Sequence, residues 1–282
     1  MLPALDGFAA RRGIALQAFV QHGCPPLVGV NVIAPRSPKG CMERNARTLA
    51  ALESAHDIGT VILISRPAAY VKGLNTGERH ETYLERLSIF GPNGEELDET
   101  ARTALWDRQL DFTVNRLLAA GKTVVLVYPV PEIGYYVPGS LSRMLATGRD
   151  PLSLNLPLAA FQARQDSILP ILDRAGTSPR IVRVYPHKRL CNEDRCLVYA
   201  NGKALYRDAD HLSAAGSEFV LPCSSRSSPI TIRQLPPPRS PVRWRCVTGQ
   251  LRTSHKPMPI SAAVQMASRL IQPRRRKSSP AH

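Results

Sequence analysis

The chain has 282 residues, of which 43% are hydrophobic, and a formal net charge of +15. This length suits one large domain or two small ones, and the hydrophobic content is sufficient for a packed core. No run approaches the ~20 consecutive apolar residues of a membrane helix. The first residues carry neither the charged leader nor the sustained apolar segment of a signal peptide, so we expect no signal peptide and no transmembrane segment.

The positive charge is concentrated at the end of the chain. Residues 217–282 contain 12 Lys and Arg but one acid, Glu218, a net charge of +11, whereas residues 1–216 have a net charge of +4. Ten of the 25 prolines also follow Glu218, and no periodic apolar face is visible there. The composition predicts an α/β domain over residues 1–216 and a disordered Pro/Ser/Arg-rich tail over residues 217–282.

Helical and apolar strand patterns alternate along residues 1–216, which predicts a parallel α/β sheet covered on both faces. The domain opens with a helix, so either it is a helix-first α/β domain or a first strand is missing. The pattern predicts little regular structure over 66–97 beyond a short strand at 87–90, and a loop with short helical pieces over 129–156. The predicted helices are 1–12, 42–55, 98–120, 156–175 (broken or bent near Pro170) and one beginning at Ser213. The predicted strands are 14–20, 59–65, 122–128, 180–185 and a β pair over 197–206 around Asn201-Gly202.

Four cysteines of the domain fall into two pairs along the chain. Cys24 and Cys41 flank a loop rich in Pro and Gly, and Cys191 and Cys196 enclose a short polar loop. We favour two disulfides over free buried thiols and over zinc, because neither pair has C-x-x-C spacing and no His stands at ligand spacing beside them. Disulfides would indicate an oxidising compartment. We expect no metal.

The segment with the clearest chemistry is Leu205–Gly216, which contains Asp208 and His211. At a spacing of three residues the Asp208 carboxylate can accept a hydrogen bond from Nδ1–H of His211. The other ring nitrogen is then free to take a proton from a hydroxyl group. Taken alone the pattern is common, and a capped helix start is the alternative interpretation.

The run from Leu190 to Cys196, followed by Asp208-Ala-Asp-His-Leu-Ser213 and Gly216, resembles the C-terminal end of SGNH domains. It is most similar to the SGNH domains fused behind multi-spanning membrane acyltransferases that O-acylate bacterial surface polysaccharides and lipopolysaccharide. The upstream features that agree are Cys24-Pro-Pro, Cys41, Asn45, Ser65-Arg66 and residues 120–131.

The resemblance covers about residues 1–216. It implies a flavodoxin-like three-layer parallel sheet and a Ser-His-Asp triad with His211 and Asp208 as catalytic residues. It also implies a periplasmic or extracytoplasmic setting, an acyl donor or acyl-glycan as substrate, a membrane domain as fusion partner, and no cofactor.

One part of the family pattern is not found in the chain. In SGNH domains the nucleophilic serine lies in a Gly-Asp-Ser-type turn after the first strand, just before a helix like Leu2–Ala10. The 282 residues contain no Gly-Asp-Ser, and Gly216-Ser217 follows the histidine. We therefore expect a sheet that lacks its first strand and a chain that is inactive as written. We hypothesise that translation from an upstream start would add the first strand and a Gly-Asp-Ser turn.

Candidates for the oxyanion hole are Asn45 and Gly40, because SGNH enzymes use a Gly and an Asn from later sequence blocks. The triplet Gly73-Leu-Asn75 is an alternative, and helix capping or turn chemistry is the slightly favoured interpretation of each of them.

Three other residues stand out with weaker patterns. Arg66 follows a strand, where α/β sheets bind ligands, although it could merely pair with a surface acid. His80 and His187 have no partner pattern, so we expect both on the solvated surface.

Two further hypotheses compete with an acyl-transfer domain. The chain could be a non-catalytic gene fragment, because the basic tail is also what a frameshift in a GC-rich gene produces. It could alternatively be a protein whose basic tail binds nucleic acid or an anionic surface. Nucleic-acid binding is the less favoured interpretation, because Trp244 has few aromatic neighbours in the tail. DNA binding that depends on salt and on residues 217–282 would support it.

Overall fold

The computed structural model describes residues 2–11, 13–21, 23–33, 40–73, 87–91 and 93–221. The predicted tail beyond residue 221, His80 and Asn75 lie outside these residues. No helix among the described residues is both long and apolar enough to span a bilayer.

The described residues alternate between helices and strands in the predicted manner. The helices are α1 (Leu2–Ala10), α2 (Cys41–Ser54), α3 (Pro67–Val71), α4 (Glu99–Ala119), α5 (Val137–Ala146), α6 (Leu158–Gln165), α7 (Ile168–Arg174), α8 (His187–Leu190) and α9 (Ala214–Val220), with a 3₁₀ turn at Pro151–Leu154. The strands are β1 (Asn31–Ile33), β2 (Thr60–Ile64), β3 (Ser88–Phe90), β4 (Thr123–Val127), β5 (Leu156–Pro157), β6 (Ile181–Val184), β7 (Arg195–Cys196), β8 (Tyr199–Ala200) and β9 (Lys203–Ala204).

Three strands form a parallel sheet in the order β2-β4-β6, with Thr60 opposite Thr123 and Val124 opposite Ile181. Their β-branched runs suit a buried sheet, and Val124 is fully buried in the central strand. The sheet packs into one core with apolar residues of α2, α4 and α7. The predicted α/β class and parallel sheet are therefore confirmed.

A second apolar cluster lies beside the parallel sheet and supports the last loop of the domain. It joins α5 and α9 to the hairpin β8–β9 through Val137, Leu141, Leu205, Tyr206 and Val220. The hairpin turns at Asn201 and Gly202, with φ of 51° and 75°, the backbone of the predicted Asn-Gly turn.

Both predicted disulfides are present, one between Cys24 and Cys41 and the other between Cys191 and Cys196. The first ties the Pro/Gly loop to the start of α2, and the second closes the polar loop between α8 and β7.

The predicted strand over residues 14–20 is wrong, because these residues form no regular secondary structure. They are exposed throughout, and Val20 is 65% and Ile14 47% accessible. Apolar alternation records a propensity for strand, but a strand exists only where another strand pairs with it. Within the described residues, none pairs with this segment.

Of two further helical predictions, one is confirmed and one needs correction. The helix predicted over 156–175 is two helices, α6 and α7, which separate at Asp166 and Ser167. The predicted break or bend near Pro170 is thus confirmed as a break three to four residues before the proline, which lacks an N–H and whose ring crowds the carbonyl four residues earlier. Helix α3 lies in the stretch predicted to be irregular. It is five residues long and all five are buried, so tertiary packing rather than helix propensity stabilises it.

The packing of α9 against the hairpin generates a prediction. A Cβ atom added at Gly216 would lie 1.9 Å from the backbone oxygen of Leu205, which no side-chain rotation can relieve. We expect Gly216→Ala to lower the free energy of unfolding by about 2 kcal/mol or more, as overpacking does. Gly59→Ala is the control, because no atom lies within 4 Å of its added Cβ. Urea unfolding of both variants measures this, and equal midpoints would contradict it.

Candidate active site

The candidate site is built on the loop between β9 and α9. The loop closes on itself through backbone hydrogen bonds from Arg207 N–H to the His211 oxygen (3.0 Å) and from Ser213 N–H to the Leu205 oxygen (2.9 Å). Ser213 also caps α9, since its Oγ accepts from Gly216 N–H at 3.0 Å and donates to the Ala204 oxygen at 2.7 Å. The predicted helix start at Ser213 is therefore confirmed.

The loop that follows β4 holds the same segment from the other side. The Ala209 oxygen accepts hydrogen bonds from the backbone N–H of Ile133 (2.8 Å) and of Gly134 (3.3 Å). The Asp208 oxygen accepts a longer one, 3.4 Å, from Val137 at the start of α5. The backbone that carries the predicted catalytic pair is thus fastened on both sides.

Asp208 is oriented by the backbone that follows it. Its Oδ1 accepts hydrogen bonds from the N–H groups of Asp210 (3.0 Å) and His211 (2.6 Å). Its Oδ2 then lies 2.9 Å from Nδ1 of His211, the contact expected from the spacing. The side chain of His211 is 48% exposed, and none of the described residues hydrogen-bonds Nε2.

A second carboxylate, not predicted from the sequence, meets the same nitrogen. Oδ1 of Asp210 lies 2.9 Å from Nδ1 of His211, and the Asp210 side chain is only 8% exposed. Its Oδ2 forms an ion pair with Arg66, two residues beyond β2. The sequence left open that Arg66 merely pairs with an acid on the surface. The acid with which it forms this ion pair, Asp210, is buried. The feature of the sequence that could have indicated this second carboxylate is the second Asp of Asp208-Ala-Asp-His211.

The electrostatics of the site follow from these contacts. Burial raises the pKa of Asp208, but hydrogen bonds from the ring and the backbone of His211, with the charges of His211 and Arg207, outweigh it and lower that pKa overall. Tyr70, in α3, has a pKa raised to about 12 by burial, and the positive charge of Arg66 opposes part of that rise.

Asp208, Asp210 and His211 offer ligand atoms within 4.8 Å of one another, a spacing that a metal ion could use. The guanidinium of Arg66 already supplies the positive charge at Asp210, and a cation would have to displace it. We therefore assign no metal to this cluster.

The oxyanion candidates have structural contacts. Asn45 donates from Nδ2 to the backbone oxygens of Pro25 (2.7 Å) and Leu27 (2.8 Å), which holds the disulfide-closed loop against α2. Gly40 has a φ of 107° and precedes α2, a conformation that favours glycine. The Gly73 oxygen accepts from Arg164. A role for any of them in an oxyanion hole stays a prediction.

The prediction that His187 lies on the solvated surface is wrong. Its ring packs among the rings of Phe161, Tyr185 and Tyr128, with centroids 5.1, 5.9 and 6.3 Å away. Its Nδ1 is buried and has no hydrogen-bond partner among the described residues. Burial, with the charge of Lys188, lowers its pKa to about 4, against the opposing effect of Asp173. These rings come together only in the folded chain, so no local sequence pattern could predict the aromatic surroundings of His187.

The partial burial of His187 predicts a pH dependence of stability. The unfolded chain binds a proton near the ordinary pKa of 6.5, whereas the folded chain resists it until about pH 4. The contribution of His187 to stability is therefore complete above pH 6.5 and is lost as the pH falls towards 4. We expect His187→Phe to flatten this part of the stability curve in urea unfolding. Substitution of His56, which is exposed, should leave the curve unchanged. If the His187 and His56 variants lose the same amount of stability between pH 6.5 and pH 4, the prediction is contradicted.

Comparison with known proteins identifies the family. The family model described as the SGNH domain (fused to AT3 domains) matches residues 1–223. Among solved structures, the periplasmic domain of a Salmonella ser. Paratyphi A lipopolysaccharide acetyltransferase aligns with a TM-score of 0.49 and 17% identity, over 78% of this chain and 75% of that chain. No match is found among the curated proteins. The chain belongs to the family of SGNH domains fused to AT3 domains.

Proposed function

We propose that this domain supplies the acid–base pair of an acyl-transfer or ester-hydrolysis site that acts on acyl groups of cell-surface glycans. The observation that carries the proposal is the 2.9 Å contact between Nδ1 of His211 and Oδ2 of Asp208, on a ring that is half exposed. A histidine held in this way presents Nε2 as a general base.

The proposed reaction has two steps. Nε2 of His211 takes the proton of a serine hydroxyl as that oxygen attacks the acyl carbonyl, and Asp208 stabilises the imidazolium that forms. His211 then gives the proton to the departing alcohol, which leaves an acyl-serine ester. In the second step a glycan hydroxyl or water, deprotonated by His211, attacks this ester and the serine recovers its proton. Transfer to the glycan gives an acyltransferase, and transfer to water gives an esterase.

We place the nucleophile outside these 282 residues, because the chain contains no Gly-Asp-Ser turn. The 282-residue polypeptide by itself is then inactive, although its base is in position. Two features support an extracytoplasmic setting. One is membership of a family fused to AT3 domains, and the other is the pair of disulfides, which persist in oxidising compartments.

Hydrolysis of p-nitrophenyl acetate tests the proposal. We expect the 282-residue chain to release nitrophenol no faster than its His211→Ala variant, because the pair has no serine to activate. Turnover by this chain that disappears in His211→Ala would contradict the missing nucleophile.

The positive test uses a longer polypeptide translated in the same frame from an upstream start, which we expect to contain a Gly-Asp-Ser turn. It should hydrolyse the ester, and Asp208→Asn should lower kcat by roughly 10³- to 10⁴-fold, as loss of the orienting carboxylate does in serine hydrolases. His56→Ala is the control for loss of an exposed histidine. Flanking DNA with no such turn in any frame, or activity unaffected by Asp208→Asn, would overturn the proposal.

A further inference from the structure

Two carboxylates compete for one hydrogen atom at His211. The tautomer that leaves Nε2 free to act as a base carries its single proton on Nδ1. Oδ2 of Asp208 and Oδ1 of Asp210 both lie 2.9 Å from that nitrogen. Two free carboxylates at this distance would stabilise the doubly protonated ring, which cannot accept a proton.

The two carboxylates are held in different ways. Asp208 is anchored by two backbone N–H groups, and its neighbouring cation, Arg207, lies 3.5 Å away on a side chain that is 66% exposed. Asp210 is paired with Arg66, and both side chains are largely buried, at 8% and 17% exposure. Charges interact more strongly where water is excluded, so Arg66 offsets Asp210 far more than Arg207 offsets Asp208.

The backbone that carries Arg66 is anchored by the elements on either side of it. Its residue lies between the end of β2 at Ile64 and the start of α3 at Pro67, and its backbone oxygen accepts from Ala69 N–H at 3.1 Å. All of α3 is buried, so the chain segment that carries the guanidinium is fixed by the core. Two cations of the described residues form ion pairs with this group: Arg66 pairs with Asp210, and Arg207 pairs with Asp208.

We propose that Arg66 is a positioning residue for His211: its guanidinium holds the Asp210 carboxylate, so that Asp208, and not Asp210, accepts the hydrogen bond from Nδ1–H. As a contribution to catalysis this rests on the proposed acyl-transfer function. Arg66 does not touch the reacting atoms in this scheme, and it acts on His211 through Asp210.

The charge state of the His211 ring tests the proposal on the full 282-residue chain. Nitrogen-15 NMR of labelled histidine reports the ratio of doubly to singly protonated ring at pH 7. We expect Arg66→Gln to raise this ratio about tenfold, the effect of one uncompensated neighbouring charge. The double variant Arg66→Gln/Asp210→Asn should return to within about twofold of the original ratio, because both charges are then gone. Arg66→Lys keeps the charge and should preserve most of the original ratio.

The controls separate this effect from a general loss of an ion pair. Arg116→Gln removes a pair with Glu53 that joins α4 to α2, and it should leave the His211 ratio unchanged. If Arg66→Gln fails to fold, Asp210→Asn decides, since an unopposed Arg66 should lower the ratio about tenfold. A folded Arg66→Gln chain with an unchanged ratio would overturn the proposal, and so would an unchanged ratio in Asp210→Asn.

The readout also distinguishes the two proposals. It needs neither a serine nor turnover, so an inactive longer polypeptide would refute the proposed function and leave the positioning role standing. In an active longer polypeptide, Arg66→Gln should lower kcat at pH 7 and recover it at higher pH, where the extra proton leaves the ring. A loss of kcat that is equal at every pH would indicate a merely structural role.

Discussion

The site depends on a loop whose two ends are clamped together. Ser213 fastens the loop to Ala204 and Leu205, and the close approach of Gly216 to the Leu205 oxygen brings α9 against the hairpin. Within this frame the backbone N–H groups turn back on the Asp208 carboxylate, which fixes its second oxygen beside His211. The orientation of the Asp208 carboxylate is therefore a property of the backbone.

The parallel sheet contributes a second constraint. It places Arg66 just past the end of β2, and the ion pair with Asp210 links the sheet to the last loop of the domain. The pair is far apart in sequence and shielded from water, whereas His211 is half exposed. This division is physically reasonable for a base, since a proton acceptor must reach its substrate while the charges that tune it work best in a low dielectric.

Local patterns were good guides where the structure is locally determined. The start of α9 at Ser213, whose Oγ accepts from Gly216 N–H at 3.0 Å, and the Asn201-Gly202 turn depend on residues within four positions of each other. The same holds for Asp208 and His211. The segment over residues 14–20 shows the opposite case, because its alternating apolar residues have strand propensity but the described residues provide no pairing partner.

The sequence by itself determined the α/β class and the Asp208–His211 pair, because these depend on periodicity and on residues close along the chain, and its cysteine spacing favoured the two disulfides that the structure contains. Only the tertiary structure decided that Asp210 shares the histidine, that Arg66 holds Asp210, and that His187 lies among aromatic rings. Arg66 and Asp210 are 144 positions apart, and Tyr128 lies 59 positions before His187, so tertiary packing and not local propensity brings these side chains together.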